Sequence, residues 1–196
     1  MDNGGKIIYM QHNNTNAIFK TPVMTAPFGL SDWDNTRFSV DLSMNADVEA
    51  FRTKMLEFED YVIDAAQKNS MAWFKKQYTR DVVKELFSSA IRYPKDKDTG
   101  DVSDKYPPTM KLQVPHKNGR FACDAYDYAK ETMEITKETL SKGSRVSAIV
   151  HASGVWVAGS KFGVTYKIVQ MKIATNNMGI LDKYAFIDDS DDECVV

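Results

Sequence analysis

The chain is poor in the residues that make covalent staples, metal sites and membrane anchors. Its 196 residues contain two cysteines, Cys123 and Cys194, far apart in sequence and one of them in the terminal segment. That spacing excludes a disulfide framework or a cysteine-built zinc site. The three histidines, His12, His116 and His151, have no partner at metal-ligand spacing. No apolar run approaches the roughly 18–20 residues that a membrane helix needs. The first residues, MDNGGKIIYMQHNN, lack the basic-then-apolar layout of a secretory signal. The expectation is therefore an intracellular protein, in the cytoplasm or nucleus of a host cell if viral, with no membrane partner. Nucleophile–base pairs are missing too. Cys123 sits among strand residues without a neighbouring base, as a small core residue would. The sequence thus predicts no enzyme, no catalytic residue, no metal and no cofactor.

What is present suits a folded domain. Hydrophobic residues make up 43% and aromatics 11%, enough for a packed core. The net charge of −2 hides an asymmetry. Residues 187–196 (IDDSDDECVV) hold five acids, namely Asp188, Asp189, Asp191, Asp192 and Glu193, and no base. The rest of the chain carries 25 basic and 22 acidic residues, so the body is mildly basic and the end strongly acidic. Such a tail is expected to be disordered, because it holds too little apolar surface to bury.

Residues 1–20 are polar and Asn-rich, an N-terminal extension. Pro22, Pro27 and Gly29 then punctuate a loop or edge strand. Arg37 to Met44 alternates Phe38, Val40, Leu42 and Met44 with Ser39, Asp41 and Ser43, the mark of a half-buried strand. Asn45 offers an N-cap for a helix whose stripe is Val48, Phe51, Met55, Phe58, Val62 and Ala65. The stripe suits packing on a sheet, and leaves homodimerisation through a short coiled coil open. A second helix is predicted from Thr79 to Pro94. A charged, proline-containing loop covers 94–108, after which the period switches to two. Met110, Leu112 and Val114 alternate with Lys111 and Gln113, and Asn118-Gly119 signals a hairpin. YAKETMEITKETL predicts a short helix within 127–142, stopped by Gly143. Residues 144–173 read as two or three strands broken by Gly154, Gly159 and Gly163. Five or six strands with helices inserted between them, and no βαβ alternation, predict an α+β protein built on a small, mostly antiparallel barrel.

One motif resembles a phosphate-binding loop. Gly154-Val-Trp-Val-Ala-Gly159-Ser160-Lys161 matches G-x-x-x-x-G-K-[ST] with the last two residues exchanged. Such a loop opens a helix whose free N–H groups hold phosphate, whereas Phe162 onward reads as a strand. The segment is better read as a hairpin turning at Gly159.

Basic and aromatic residues interleave in the β-rich half. Lys111, Arg120, Arg145, Lys161 and Lys167 could follow a phosphate backbone, while Trp156 and Tyr126 offer flat faces on which bases stack. Phe162 and Tyr166 read as core. Composition alone leaves a plainer account open, since alternating strands place some lysines outward and some aromatics inward in any sheet. The segment WFKKQY (73–78) has the same mixture between two helices and reads as packing.

Four segments carry a resemblance: TPVMTAPFGLSDW (21–33), YPPTMKLQVP (106–115), RFACDAYD (120–127) and GSRVSAIVHASGVWVAGSKFGVTYKIVQMKI (143–173). Their order resembles the OB-fold single-stranded-DNA-binding proteins of short-tailed coliphages and their relatives in large nucleocytoplasmic DNA viruses. The last segment looks like that family's closing hairpin. The resemblance implies an OB-like barrel over 21–186 with a helical insertion at about 45–92, and an acidic tail over 187–196. It implies non-specific single-stranded DNA binding in replication, recombination or repair. It also implies that Asp188 to Glu193 guard the DNA groove and recruit replication proteins. Family members of phage origin end in an aromatic residue; this chain ends Cys194-Val195-Val196, a departure in the partner-contacting part. The competing expectation is a viral structural or assembly protein that uses the barrel as a protein-binding module.

Overall fold

The computed structural model describes residues 5–174, so the acidic segment 187–196 lies outside the described residues. Two long strands dominate it, β10 (Arg145–Ala158) and β11 (Lys161–Ala174), paired antiparallel along their whole length. The sequence suggested breaks at Gly154 and Gly163, but both glycines lie inside these strands. Neither has positive φ; each is small because something crosses it closely. A Cβ on Gly154 would lie 2.6 Å from the Ile8 carbonyl oxygen, and one on Gly163 2.6 Å from the Ser88 carbonyl oxygen. Gly159, with φ +61°, does turn the chain, supplying the positive φ that a two-residue hairpin loop needs. Register shifts at Ile149/Val150 and Ala152/Gly154 let so long a ribbon coil.

The other strands line up on either side. β1 (Lys6–Tyr9), β2 (Ile18–Lys20) and β3 (Met24–Thr25) all pair with β10, so part of the N-terminal extension belongs to the sheet. β4 (Leu30–Trp33) and β5 (Arg37–Ser43) form a hairpin turned by Asp34 and Asn35, both at positive φ. After the helices come β6 (Ile91–Arg92) and β7 (Thr109–Val114), then β8 (Asp124–Tyr126) and β9 (Thr132–Met133). The main path runs β1-β10-β11-β7-β5-β4. Most pairings are antiparallel, but β11 runs parallel to both β7 and β8. The fold is thus a mixed, sheet-dominated α+β. Among the described residues no hydrogen-bonded ladder joins β1 to β4.

The inner face of the sheet holds Val40, Leu42, Met110, Leu112, Val150, Phe162 and Ile168, all nearly inaccessible. Three helices cover this core. The long one begins as a 3-10 turn at Ala46–Val48, so Val48 rather than Asn45 caps α1 (Glu49–Lys68). Its stripe is buried at Val48, Met55 and Val62, and burial extends to Glu59, Ile63 and Ala66. In α2 (Ser70–Phe74) Trp73 and Phe74 pack on Phe162, with ring centroids 6.4 and 5.3 Å away. Thr79 caps α3 (Arg80–Leu86) as expected, but the helix stops well before Pro94. Phe87 leaves it to pack on Phe162 at 5.2 Å, and Ile91 is taken by β6.

The helix expected within 127–142 does not form. Asp127 closes a turn on Glu131, and Thr136 and Thr139 bond each other and nearby backbone. Ile135 and Leu140 anchor the segment in the core. Threonine side chains that satisfy the backbone locally compete with a helix, and here they win. Asn118-Gly119 makes the hairpin its sequence announces, both residues at positive φ between Lys117 and Arg120.

Candidate nucleic-acid interface

The outer face of this sheet is polar for a local reason. Along β7 and β11 the residues that alternate with the core are Lys111, Gln113, Thr165 and Lys167. The parallel β7–β11 pairing sets Gln113 opposite Lys167. Two open cavities of about 680 and 600 Å³ flank this row and share Lys111, Gln113 and Lys167, so they form one groove. Arg37 and Lys117 add cations at one end and Arg92 at the other; among the described residues no Asp or Glu lines either cavity. Among the described residues Lys111, Lys117, Lys167 and Arg92 make no ion pair, whereas Arg37 bonds Asp34 at 2.8 Å. Arg80, by contrast, bridges Asp60 and Asp64 from α3 to α1. A concave strip of unpaired cations raises the local anion concentration.

Aromatic side chains stand at both ends. Trp33, 61% exposed, lines one cavity beside Phe38 and His116, which cluster with Phe121 at centroid distances of 4.8 to 5.2 Å. Tyr9, 81% exposed, and the half-buried Trp156 line the other. Trp156 lies against Gly163, whose absent side chain leaves room for the indole.

A loop of residues 88–91 walls the second cavity, and its shape is set from below. Ser88 N–H donates to the Phe162 carbonyl at 2.7 Å, and Lys111 N–H to that of Ala90 at 3.0 Å. The buried Glu59 carboxylate accepts from Ser89 Oγ at 2.7 and 2.9 Å and from Ala90 N–H at 3.1 Å. Burial pushes the Glu59 carboxyl up, offset by these hydrogen bonds. Burial of the neighbouring Tyr166, and after it the Glu59 charge, push that phenol well above the usual tyrosine range. Glu59→Gln keeps an acceptor for both donors and removes the buried charge, so stability should change by less than about 1 kcal/mol. Glu59→Ala strands Ala90 N–H, leaves Ser89 Oγ only its bonds with Ile91, and should cost about 1–3 kcal/mol in urea unfolding.

Of the residues singled out in sequence, Lys111, Lys167 and Trp156 come together in this groove. Tyr126 lies in a separate cleft. Arg120 sits on the exposed hairpin arm and Arg145 at the far end of β10, outside both cavities. Lys161 instead donates to the Glu85 carbonyl at 3.0 Å, tying the β10–β11 turn to the end of α3. That turn has no helix N-terminus behind it, so the phosphate-loop likeness of 154–161 has no structural counterpart. Cys123 is half-buried; burial and Asp124 push its thiol up to about 11, so it is protonated at neutral pH. Sequence reasoning missed Trp33, Arg37, Tyr9, Arg92 and Lys117. For the first two a signal existed: Asp34-Asn35 is a turn pair between strands, which places Trp33 and Arg37 side by side.

The mixed, sheet-dominated fold is shared with solved phage proteins. One is similar over 87% of this chain and 94% of its own, with 13% identity and a TM-score of 0.53: the C-terminally truncated single-stranded DNA-binding protein of bacteriophage Enc34. The Enc34 protein in complex with single-stranded DNA is similar over 87% and 96%, with 12% identity and a TM-score of 0.52. A third, gp2.5 of bacteriophage T7, a single-stranded DNA-binding protein, covers 86% and 98% with 12% identity and a TM-score of 0.50. No curated protein matches the chain in sequence. The chain belongs to the family described as "Family of unknown function (DUF5871)", whose model matches residues 34–188.

Proposed function

We propose that this protein binds single-stranded DNA without sequence preference, along the groove centred on Lys111, Gln113 and Lys167. The observation that carries the reading is a groove that, among the described residues, has five cationic side chains and no carboxylate in its lining. Single strands need cations that track a flexible backbone and flat groups on which bases lie, each stacked base contributing roughly 1–3 kcal/mol whatever its identity. Trp33, Phe38, His116, Tyr9 and Trp156 offer those faces. The fold likeness to phage single-stranded-DNA-binding proteins supports the same reading, as does the sheet, which we read as an OB-type barrel. Replication, recombination or repair is the setting such binding serves. The test is oligonucleotide binding, single-stranded against duplex, at two salt concentrations, read by intrinsic tryptophan fluorescence, to which Trp33 and Trp156 of the groove contribute. Affinity for single strands should exceed that for duplex and fall with salt as counterions are released. Equal affinities, or a flat salt response, would sink the proposal.

Residues 188–193, outside the described part, extend the proposal. Five carboxylates on the same chain are a polyanion at an effective concentration of order millimolar, able to compete for the groove and, once displaced, to meet replication proteins. Deleting 187–196 should then strengthen binding several-fold at low salt and hardly at all at high salt, where screening weakens the internal competitor. Equal affinities at low salt would show that the tail does not guard the groove.

A further inference from the structure

The groove is not the only opening on this face. At the other end of the β10–β11 ribbon a cleft of about 380 Å³ is lined by Lys20, Tyr126, Tyr128, Ser147, Gln170 and Lys172, among others. Its place follows from the register. Trp156 faces Gly163, Gly154 faces Thr165, and His151 faces Lys167; further along, Ile149 faces Gln170 and Ser147 faces Lys172. These pairs share the outward side of one ribbon, so groove and cleft are two stretches of one surface, joined at His151 and Lys167. Lys20 stands opposite Ile149 on β2, and Tyr126 beside Lys172 on β8. Neither Lys20 nor Lys172 is in an ion pair among the described residues. Tyr128 is 43% exposed at the rim. Asp124, opposite Gln170 on β8, accepts from its Nε2 at 3.4 Å.

We propose that this cleft is a second subsite for the same DNA strand, and that the protein therefore has a short and a long binding mode. The inference rests on the function proposed above. Two unpaired lysines and two tyrosines repeat the chemistry of the groove, and cations in a cleft suit phosphate better than an apolar partner. From Trp156 to Ser147 the ribbon spans roughly 30 Å at about 3.3 Å per residue. A short oligonucleotide can fill the groove without reaching the cleft; a long one occupies both.

The experiment compares oligothymidylates of about 6 and about 16 nucleotides, within the range of site sizes for one such fold. They are titrated with the full chain and with Lys20→Ala/Tyr128→Ala/Lys172→Ala. The short oligonucleotide should bind both proteins within about twofold. The long one should bind the variant roughly a hundredfold more weakly, the size of two lost phosphate contacts and one lost stacked base. Its salt slope should be shallower by about 1.4, for two lost contacts to single-stranded phosphates. Lys20→Glu alone, at an exposed position, should give a smaller loss confined to the long oligonucleotide. Unchanged long-oligonucleotide binding overturns the second subsite. Tighter long-oligonucleotide binding by the variant also overturns it, since the cleft would then have held the chain's own acidic segment. Failure of the wild type to bind the short oligonucleotide overturns the groove reading itself, a separate outcome.

Discussion

Lys111→Ala/Lys167→Ala should weaken binding to a short single-stranded oligonucleotide by roughly thirtyfold at low salt while leaving the fold intact. The size follows from two contacts of about 1 kcal/mol each, the typical net contribution of one hydrogen bond. Both lysines lie in the part shared by the two cavities, so any strand that follows the groove passes them. Neither is spent on a carboxylate, so the free protein loses no ion pair when they are removed. The slope of log affinity against log salt should fall by about 1.4, because each single-strand phosphate contact contributes about 0.7. Lys54→Ala is the control: Lys54 bonds Glu57 on the exposed side of α1, at 2.9 Å, and should leave binding unchanged. An equal loss from both variants would mean that net charge, not the groove, sets affinity.

The fold was legible in sequence wherever one residue's environment is local. Alternation marked β5 and β7, Asn118-Gly119 marked its hairpin, and the stripe from Val48 to Val62 marked α1. It failed where long-range packing decides. Residues 127–142 have helix-like spacing, but Thr136 and Thr139 bond their own backbone, and Ile135 and Leu140 are drawn to the core. The strand ends of Gly154 and Gly163 were misread for the same reason: what they accommodate is distant in sequence. The site divides along that line as well. Alternation alone places Lys111 on the outer face of β7, but the neighbours it meets depend on the parallel β7–β11 pairing, which no local pattern encodes. Lys161 looked like Lys167 in sequence, yet the turn at Gly159 carries it to the end of α3.

Gly163 allows a test of how the groove is held in shape. Gly163→Ala should destabilise the protein by about 2–3 kcal/mol, more than Gly159→Ala, although only Gly159 has positive φ. A methyl at 163 would come within 2.6 Å of the Ser88 carbonyl oxygen and 3.0 and 3.1 Å of the Trp156 ring. The indole can tilt, but the carbonyl cannot easily retreat. Ser88 is tethered by its N–H to the Phe162 carbonyl, and Glu59 holds the next two residues through Ser89 Oγ and Ala90 N–H. At Gly159 nothing lies within 4 Å of an added Cβ, so the cost there is the left-handed backbone alone, about 1–2 kcal/mol. For a chain of this length each kcal/mol shifts the thermal midpoint by about 2–4 °C, so Gly163→Ala should lower it by roughly 4–12 °C. Trp156 reports the second half of the effect. Displaced from Gly163, it should show an altered emission in the folded protein, and single-strand affinity should fall, whereas Gly159→Ala leaves both unchanged. A Gly163→Ala protein with wild-type melting and affinity would show that the 88–91 loop yields freely, and that the groove owes its shape to something other than the Glu59 tether.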